Sequence, residues 1–376
     1  MAAVNTALVI GGGFSGMAAA IQMRRAGIEV DLVEIDPNWR PEGAGITVSS
    51  PSLRAFETIG VYDEIAARGY VSDNVELRAP AGRKIGEIPT PRSSGSNVPG
   101  QAGILRPELS RILADATRKS GVQVRTGITY ERLDDTGDAV EAAFTDGTRK
   151  RYDLVVGADG VRSKLRETLF PEVRPPQYIG QVVWRAVLPK PEEIVRPTMW
   201  LGGAIKVGVN PVSPSRMYMF LTEGRPEKSQ PTPETWPDLL AGLLRPFPDP
   251  QLQALVPHLR EKEATIDYRP LANLLVPAPW NRGRIVLIGD TVHATTPHLA
   301  SGAGIGIESA IVLAEELGRA GTLQPALDRF HARRWERCRM VIENSERLCR
   351  LEMEDGDKAE HARIMRESII ALTAPI

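Results

Sequence analysis

The chain has 376 residues, 42% of them hydrophobic and 25% charged, a composition that fits two or three ordinary globular domains and excludes collagen-like, coiled-coil and low-complexity readings. Lys and Arg number 46 against 47 Asp and Glu, a net charge of -1, so no overall basic field exists to draw the chain onto nucleic acid. The N-terminal stretch MAAVNTALVIGGG lacks a basic leader region, and no run approaches the roughly 18 apolar residues of a membrane span, which leads to the expectation of a cytoplasmic protein with no membrane partner.

Thr6 to Ile10 (TALVI) is a short, β-branched-rich run ending directly in glycines, the pattern of a buried parallel strand. GGGFSG follows at 11–16, and the alanine-rich stretch to Ala26 reads as a helix stopped by Gly27. Gly11, Gly13 and Gly16 satisfy GxGxxG. The first allows a tight turn, the second lets backbone approach a pyrophosphate, and the third lets the helix pack close to the strand. Glu29 to Val33 reads as a second strand, and Glu34 stands eighteen residues after Gly16, where an acid binds the ribose hydroxyls of a dinucleotide. The βαβ unit predicts dinucleotide binding, with FAD and NAD both open at this point.

Pro89 to Gly103 is rich in turn formers and reads as loop. At 153–166 the run DLVVGADGVRSKLR is an apolar strand closing on Asp159-Gly160. Gln181 to Leu188, Lys206 to Val209 and Arg216 to Thr222 read as antiparallel strands of a second, sheet-based layer, and Arg225 to Trp236 as another loop. On the third of these strands Tyr218 alternates with Met217 and Met219, so one face points inward. Met217, Met219 and Phe220 fit a pocket wall or plain core equally. Ile285 to Ile288 again ends in Gly289-Asp290, and the segment after it runs into a helix expected to begin at Ser301 to Ile305. From Gln324 onward the chain reads as helices of mixed charge that serve packing. Cys338 and Cys349 lie in one of them, too far apart on a single helix to bridge, so two reduced thiols and no structural metal are expected.

The order GxGxxG, Asp159-Gly160, Gly289-Asp290 resembles the FAD-dependent aromatic hydroxylases, single-component flavoprotein monooxygenases of the para-hydroxybenzoate and salicylate hydroxylase type. The likeness runs from Val4 to about Arg334 and is densest at 8–45, 103–113, 153–166 and 283–310. It implies an α/β fold: a Rossmann-like FAD-binding domain of residues 1–72, 103–172 and 270–330, a mainly β substrate domain of 73–102 and 173–269, and a helical extension of 331–376. It implies FAD contacts from Gly11, Gly13, Phe14, Ser15, Gly16, Glu34, Gly45, Arg106, Asp159, Asp290, Gly302, Ala303 and Gly304. Asp290 takes the ribityl hydroxyls, Arg106 the pyrophosphate charge, with a surface arginine at a helix start as the alternative, and Asp159 a place beside the approaching nicotinamide. The helix start near Gly302 supplies N–H groups to the anionic reduced flavin.

On the substrate side the resemblance points to Arg185 as a carboxylate anchor, with an interdomain salt bridge as the alternative; the strand alternation offers Tyr218 as a phenol that orients a hydroxylated ring, with an ordinary half-buried core tyrosine as the alternative. Pro297 and His298 lie on a segment that passes the flavin where oxygen reacts, whereas His293 suits hydrogen bonding better than acid–base work. The implied activity is NADH- or NADPH-dependent hydroxylation of a small phenolic or nitrogen-heteroaromatic compound through a flavin C4a-hydroperoxide, by a monomer or homodimer. Baeyer–Villiger insertion, epoxidation and flavin reduction are the alternatives on the same fold, and a non-catalytic flavin-binding sensor is the alternative from another class. No second GxGxxG exists for a resident nicotinamide domain, and no WxWxIP segment for halogenation. The chain departs from the family ending GQGxNxxxEDA with Ala300, Ser301, Gly304 and Ser309 at the corresponding places, which bears on the substrate side of the flavin more than on its binding.

Overall fold

The computed structural model describes residues 4–39, 43–202 and 205–376. Residues 1–3 of the stretch read for a leader, 40–42 within the first dense motif region and 203–204 of the expected substrate domain lie outside the described residues.

Thr6–Ile10 is the centre of a six-stranded sheet. Glu29–Glu34 and then Gln123–Thr126 lie on one side of it, and Leu154–Gly157 and Ile285–Leu287 on the other, all parallel, with Asn281–Arg282 as an antiparallel edge. These strands read as near-continuous apolar runs because helices cover the sheet. The helix Phe14–Arg25 buries Gly16 through Ile21 and Met23, packing against Gly302–Arg319, itself buried along most of its length. The strand order reverses between Thr6–Ile10 and Leu154–Gly157, and open α/β sheets bind ligands at the carboxyl ends of strands flanking such a reversal. Both motif glycine corners lie there.

Segments 74–89 and 177–273 build a second, seven-stranded sheet in which Gln177–Pro189 pairs with Arg216–Gly224 and Thr265–Asn273, and Ile205–Pro211 extends it beyond Arg216–Gly224. Strand alternation gives this sheet two unlike faces. Trp184, Met217, Met219, Leu221, Trp200 and Tyr268 turn outward into a separate core with the helix Trp236–Leu244. Val187 and Tyr218 turn the other way and cluster with Ala44, Val212 and the partly buried Phe220. The pocket-wall reading thus divides: Met217 and Met219 are core on the far face, because they are odd neighbours of Tyr218, while Phe220 shares its face.

Two C-terminal helices, Leu323–Met353 and Lys358–Thr373, close the molecule. The first carries Arg334, fully buried, whose guanidinium donates to the Ile305 carbonyl and Ser309 hydroxyl and lies 3.0 Å from Glu308. Arg337 grips the same carboxylate with two bonds of 2.8 Å, and together the arginines hold Glu308 below the usual carboxylate range against the opposing effect of its burial. Removing one partner of such a pair leaves an under-compensated buried charge. Arg334→Met is expected to cost about 3 kcal/mol in urea unfolding, the low end for a buried pair because Arg337 remains. An unchanged midpoint would contradict it.

Candidate flavin and substrate site

Gly11 has φ of 104° and no room for a side chain, since a β-carbon would stand 2.4 Å from the Ala158 carbonyl oxygen of the neighbouring corner. A β-carbon on Gly16 would stand 2.0 Å from the Gly11 carbonyl oxygen, so the helix crosses the strand end at backbone contact. Gly13 differs, because its β-carbon would meet no protein atom within 4 Å. The chain keeps glycine there beside open space, at the start of a helix whose N-terminus no side chain caps, which is the arrangement that receives a pyrophosphate. Ser15 faces inward, its hydroxyl within 2.3 Å of where β-carbons on Gly289 and Gly306 would lie, so it packs the crossing.

Glu34 accepts from the Gly12 N–H at 2.7 Å and the Asp36 N–H at 2.8 Å, which fixes its carboxylate at the strand end beside the glycine turn. The Trp39 indole donates to the Gly12 carbonyl at 2.8 Å. Motif reasoning passed over Trp39. Its signal is the middle one of the three consecutive glycines, which GxGxxG leaves unspecified, since a β-carbon on Gly12 would strike the indole nitrogen at 2.3 Å.

The two Gly/Asp corners are tied through Thr291, whose hydroxyl accepts from the Gly160 N–H at 3.0 Å and donates to Asp159 at 3.4 Å, while Asp159 also accepts from the Leu165 N–H at 3.3 Å. Asp159 is therefore engaged in holding the corners together. Asp290 is not engaged: it is solvent-accessible within the cleft, and no described residue donates to its carboxylate. Crowding by protein raises its pKa, with His293 and Arg106 acting against that rise. Arg106 likewise has no hydrogen bond or ion pair from its guanidinium among the described residues, and stacks over the Phe14 ring at 5.1 Å. Burial, then the neighbouring Arg269, lowers its pKa. An unpaired guanidinium and an unpaired carboxylate facing one cleft suit a ligand that carries both phosphates and hydroxyls.

Gly302 and Ala303 open the helix Gly302–Arg319, which has no side-chain cap. Gly304 serves another contact, since its β-carbon would collide with Ser52 at 2.1 Å. Gly45 is pressed against the Tyr218 ring, 2.2 Å from where its β-carbon would be. The Tyr218 hydroxyl bonds the Thr47 hydroxyl, to which Asn210 also donates at 3.0 Å. Burial pushes the phenol above its usual range, against the lowering effect of Thr47 and Arg185. Arg185 lies 3.5 Å from Asp267, which Arg269 holds by bonds of 2.9 and 3.0 Å. This ion pair joins adjacent strands of one sheet, so the interdomain salt bridge is not formed.

His293 is fully buried, bonded through Nε2 to the Ser309 hydroxyl at 3.0 Å and packed on Trp280. Pro297 and His298 form a single turn of helix followed by Ala300 in the left-handed conformation. The His298 ring points away from the corners: Nδ1 meets the Thr296 hydroxyl at 2.8 Å and Nε2 lies 3.5 Å from Glu352 of the C-terminal helix.

These features define a dinucleotide-binding cleft covered by a two-faced sheet. Residues 4–345 match the FAD binding domain family. The chain is 32% identical over 314 residues to 2-heptyl-3-hydroxy-4(1H)-quinolone synthase of Pseudomonas aeruginosa, covering 82% of this chain and 80% of that one. It is 31% identical over 323 residues to 6-hydroxynicotinate 3-monooxygenase of Bordetella bronchiseptica, covering 83% and 82%. The crystal structure of Klebsiella pneumoniae HpxO complexed with FAD and uric acid superposes with a TM-score of 0.80 at 24% identity, covering 98% and 92%, which shows the shared fold. The chain belongs to this FAD-binding family. It is an FAD-dependent monooxygenase, and FAD is its cofactor. Among the described residues no helix is long and apolar enough to cross a membrane.

Burial lowers the pKa of His293 to about 4. The unfolded chain binds a proton near 6.5 that the folded chain refuses, so this histidine's contribution is whole above pH 6.5 and is lost as pH falls from there toward 4. The loss amounts to about 3 kcal/mol. Denaturation curves of His293→Gln should be flatter than wild type across that window, and parallel curves would refute the assignment.

Proposed function

We propose that this protein hydroxylates a small phenolic or nitrogen-heteroaromatic ring, consuming NADH or NADPH and dioxygen. The balance is substrate-H, O2, NAD(P)H and a proton giving substrate-OH, NAD(P)+ and water. The observation that carries the reading is the inner face of the seven-stranded sheet, where Arg185 stands among the apolar Val187, Phe220 and Tyr218 beside the cleft that holds Arg106 and Asp290. The relatives' names, with their quinolone and hydroxynicotinate rings, support a nitrogen heteroaromatic. In this reading residues 1–72, 103–172 and 270–330 serve the flavin, 73–102 and 173–269 the substrate, and the protein works in the cytoplasm as a monomer or homodimer.

Bound FAD supplies electron transfer from the nicotinamide to dioxygen and delivery of one oxygen atom to the ring. Gly13, Phe14 and Arg106 would hold its phosphates, on the turn and helix crossing that Gly11 and Gly16 allow, with Glu34 at its ribose and Asp290 at its ribityl hydroxyls. Backbone N–H groups at Gly302 and Ala303 stabilise negative charge at the helix start. Arg185 anchors an anionic substituent or opposes charge developing on the ring, because its bond to Asp267 is long enough to be exchanged for a substrate oxygen. Val187 and Phe220 exclude water. Tyr218, through Thr47, fixes the spacing between sheet and cleft, and the Pro297–His298 turn bounds the substrate side.

NADH and NADPH consumption by the FAD-loaded protein should rise with one member of a panel of phenolic and heteroaromatic acids, with one oxygen atom gained and little peroxide. Arg185→Ala should then raise KM at least about tenfold, the loss of one charge-assisted contact. Stimulation that yields only peroxide, or none by any compound, would overturn the hydroxylase reading in favour of a reductase.

A further inference from the structure

The inner face of the seven-stranded sheet is a regular grid. Val187, Tyr218 and Asn210 form one row across three strands, Arg185, Phe220 and Gly208 the next, then Val183, Thr222 and Lys206, and finally Gln181 opposite Gly224. The first row touches the flavin side through Gly45 and Thr47. The last two rows end under the helix Leu323–Met353, where Met353 lies 3.5 Å from the β-carbon position of Gly180 and 3.8 Å from that of Gly224.

Polar atoms without partners gather at this end. The Gln181 side-chain oxygen and the Thr222 hydroxyl are each buried with no hydrogen bond among the described residues, and beside them His298 Nε2 and Glu352 Oε2 meet only each other, at 3.5 Å. Gln181 is 1% exposed and Thr222 4%. Their convergence follows from the contacts: Lys206 faces Thr222 across the strands and bonds Glu352 Oε1 at 2.7 Å, and His298 Nε2 lies 3.5 Å from Glu352 Oε2. Gln181 and Thr222 sit on diagonal positions of one face, about 7–8 Å apart at the backbone and within side-chain reach of a shared ligand. Native proteins seldom leave buried polar groups unpaired; the two open groups come from the sheet, and the loosely held His298–Glu352 pair beside them comes from the Pro297–His298 turn and the helix Leu323–Met353.

We propose that these atoms form the polar end of the substrate site on this sheet face and recognise the N–H or O–H edge of a ring lactam. Their chemistry is acceptor-rich. Gln181 offers its carbonyl oxygen, Glu352 is a carboxylate that accepts only, and Thr222 and His298 act either way. Lys206 and His361, the latter at 3.2 Å, already attend the Glu352 charge, so the matching group is a neutral donor and not a cation. The apolar Phe220 and Val183 lie between this end and Tyr218, as a planar ring requires. The ring's identity as substrate rests on the oxygenase reading above; its binding does not.

The test uses the FAD-loaded protein with 2-pyridone and 4-quinolone, each paired with its N-methyl form, and follows binding by flavin absorbance and calorimetry and oxygen incorporation separately. Wild type should bind at least one N–H compound tenfold or more tighter than its N-methyl partner. Thr222→Val and Gln181→Leu should each shrink that ratio to threefold or less, with no loss of thermal midpoint, because each removes an unpaired buried group. Equal binding within each pair, no binding of either lactam, or a ratio unmoved in both variants would overturn the site and leave it to ordered water. Selective binding without oxygen incorporation would leave the site standing and sink the hydroxylase reading.

Discussion

The molecule depends on one crossing, where the helix Phe14–Arg25 leaves the end of the central strand with backbone against backbone. The 2.0 Å between a β-carbon on Gly16 and the Gly11 carbonyl oxygen is less than any side chain can occupy. The approach sets the helix axis over the sheet, and with it the direction in which free N–H groups point. The second helix, Gly302–Arg319, packs against the first and follows its placement. Two uncapped helix starts consequently look into one cleft, and the strand reversal beside them leaves the space between.

Charge is distributed over this frame in two ways. Away from the cleft, buried carboxylates are paired, as Glu308 is with Arg334 and Arg337, and Asp31 with the Lys150 ammonium at 2.9 Å and the Tyr152 hydroxyl at 2.6 Å. Inside it the Arg106 guanidinium and the Asp290 carboxylate have no hydrogen bond or ion pair among the described residues. Desolvating the Arg106 guanidinium without a charged partner costs free energy, and a bound dinucleotide recovers that cost by supplying the missing bonds. The contrast locates the cofactor site more sharply than cavity shape does.

Much of the flavin side was legible because its chemistry is local. A strand, a glycine turn at 11–13, a helix and an acid eighteen residues after Gly16 form one βαβ unit, so spacing alone carries the geometry. The substrate side was less legible. Tyr218 and Arg185 could be named from alternation and resemblance, but the partner of Arg185 is Asp267, brought beside it by strand register that no local pattern reveals. Glu352 meets Lys206 from 146 residues away and looked like packing on a charged helix. Gly304 was readable as a close approach, yet whether a cofactor or Ser52 fills the space is a matter of which helix lies opposite.

The central claim is that the open space at Gly13 belongs to the cofactor. A methyl group there meets no protein atom within 4 Å, and the residue's φ of -75° suits alanine. The direct measurement is the FAD dissociation constant of Gly13→Ala beside the thermal midpoint of the cofactor-free protein. The account predicts an unchanged midpoint and FAD affinity weakened by about a hundredfold, roughly 2.8 kcal/mol. Wild-type FAD affinity in a protein of unchanged midpoint would contradict it.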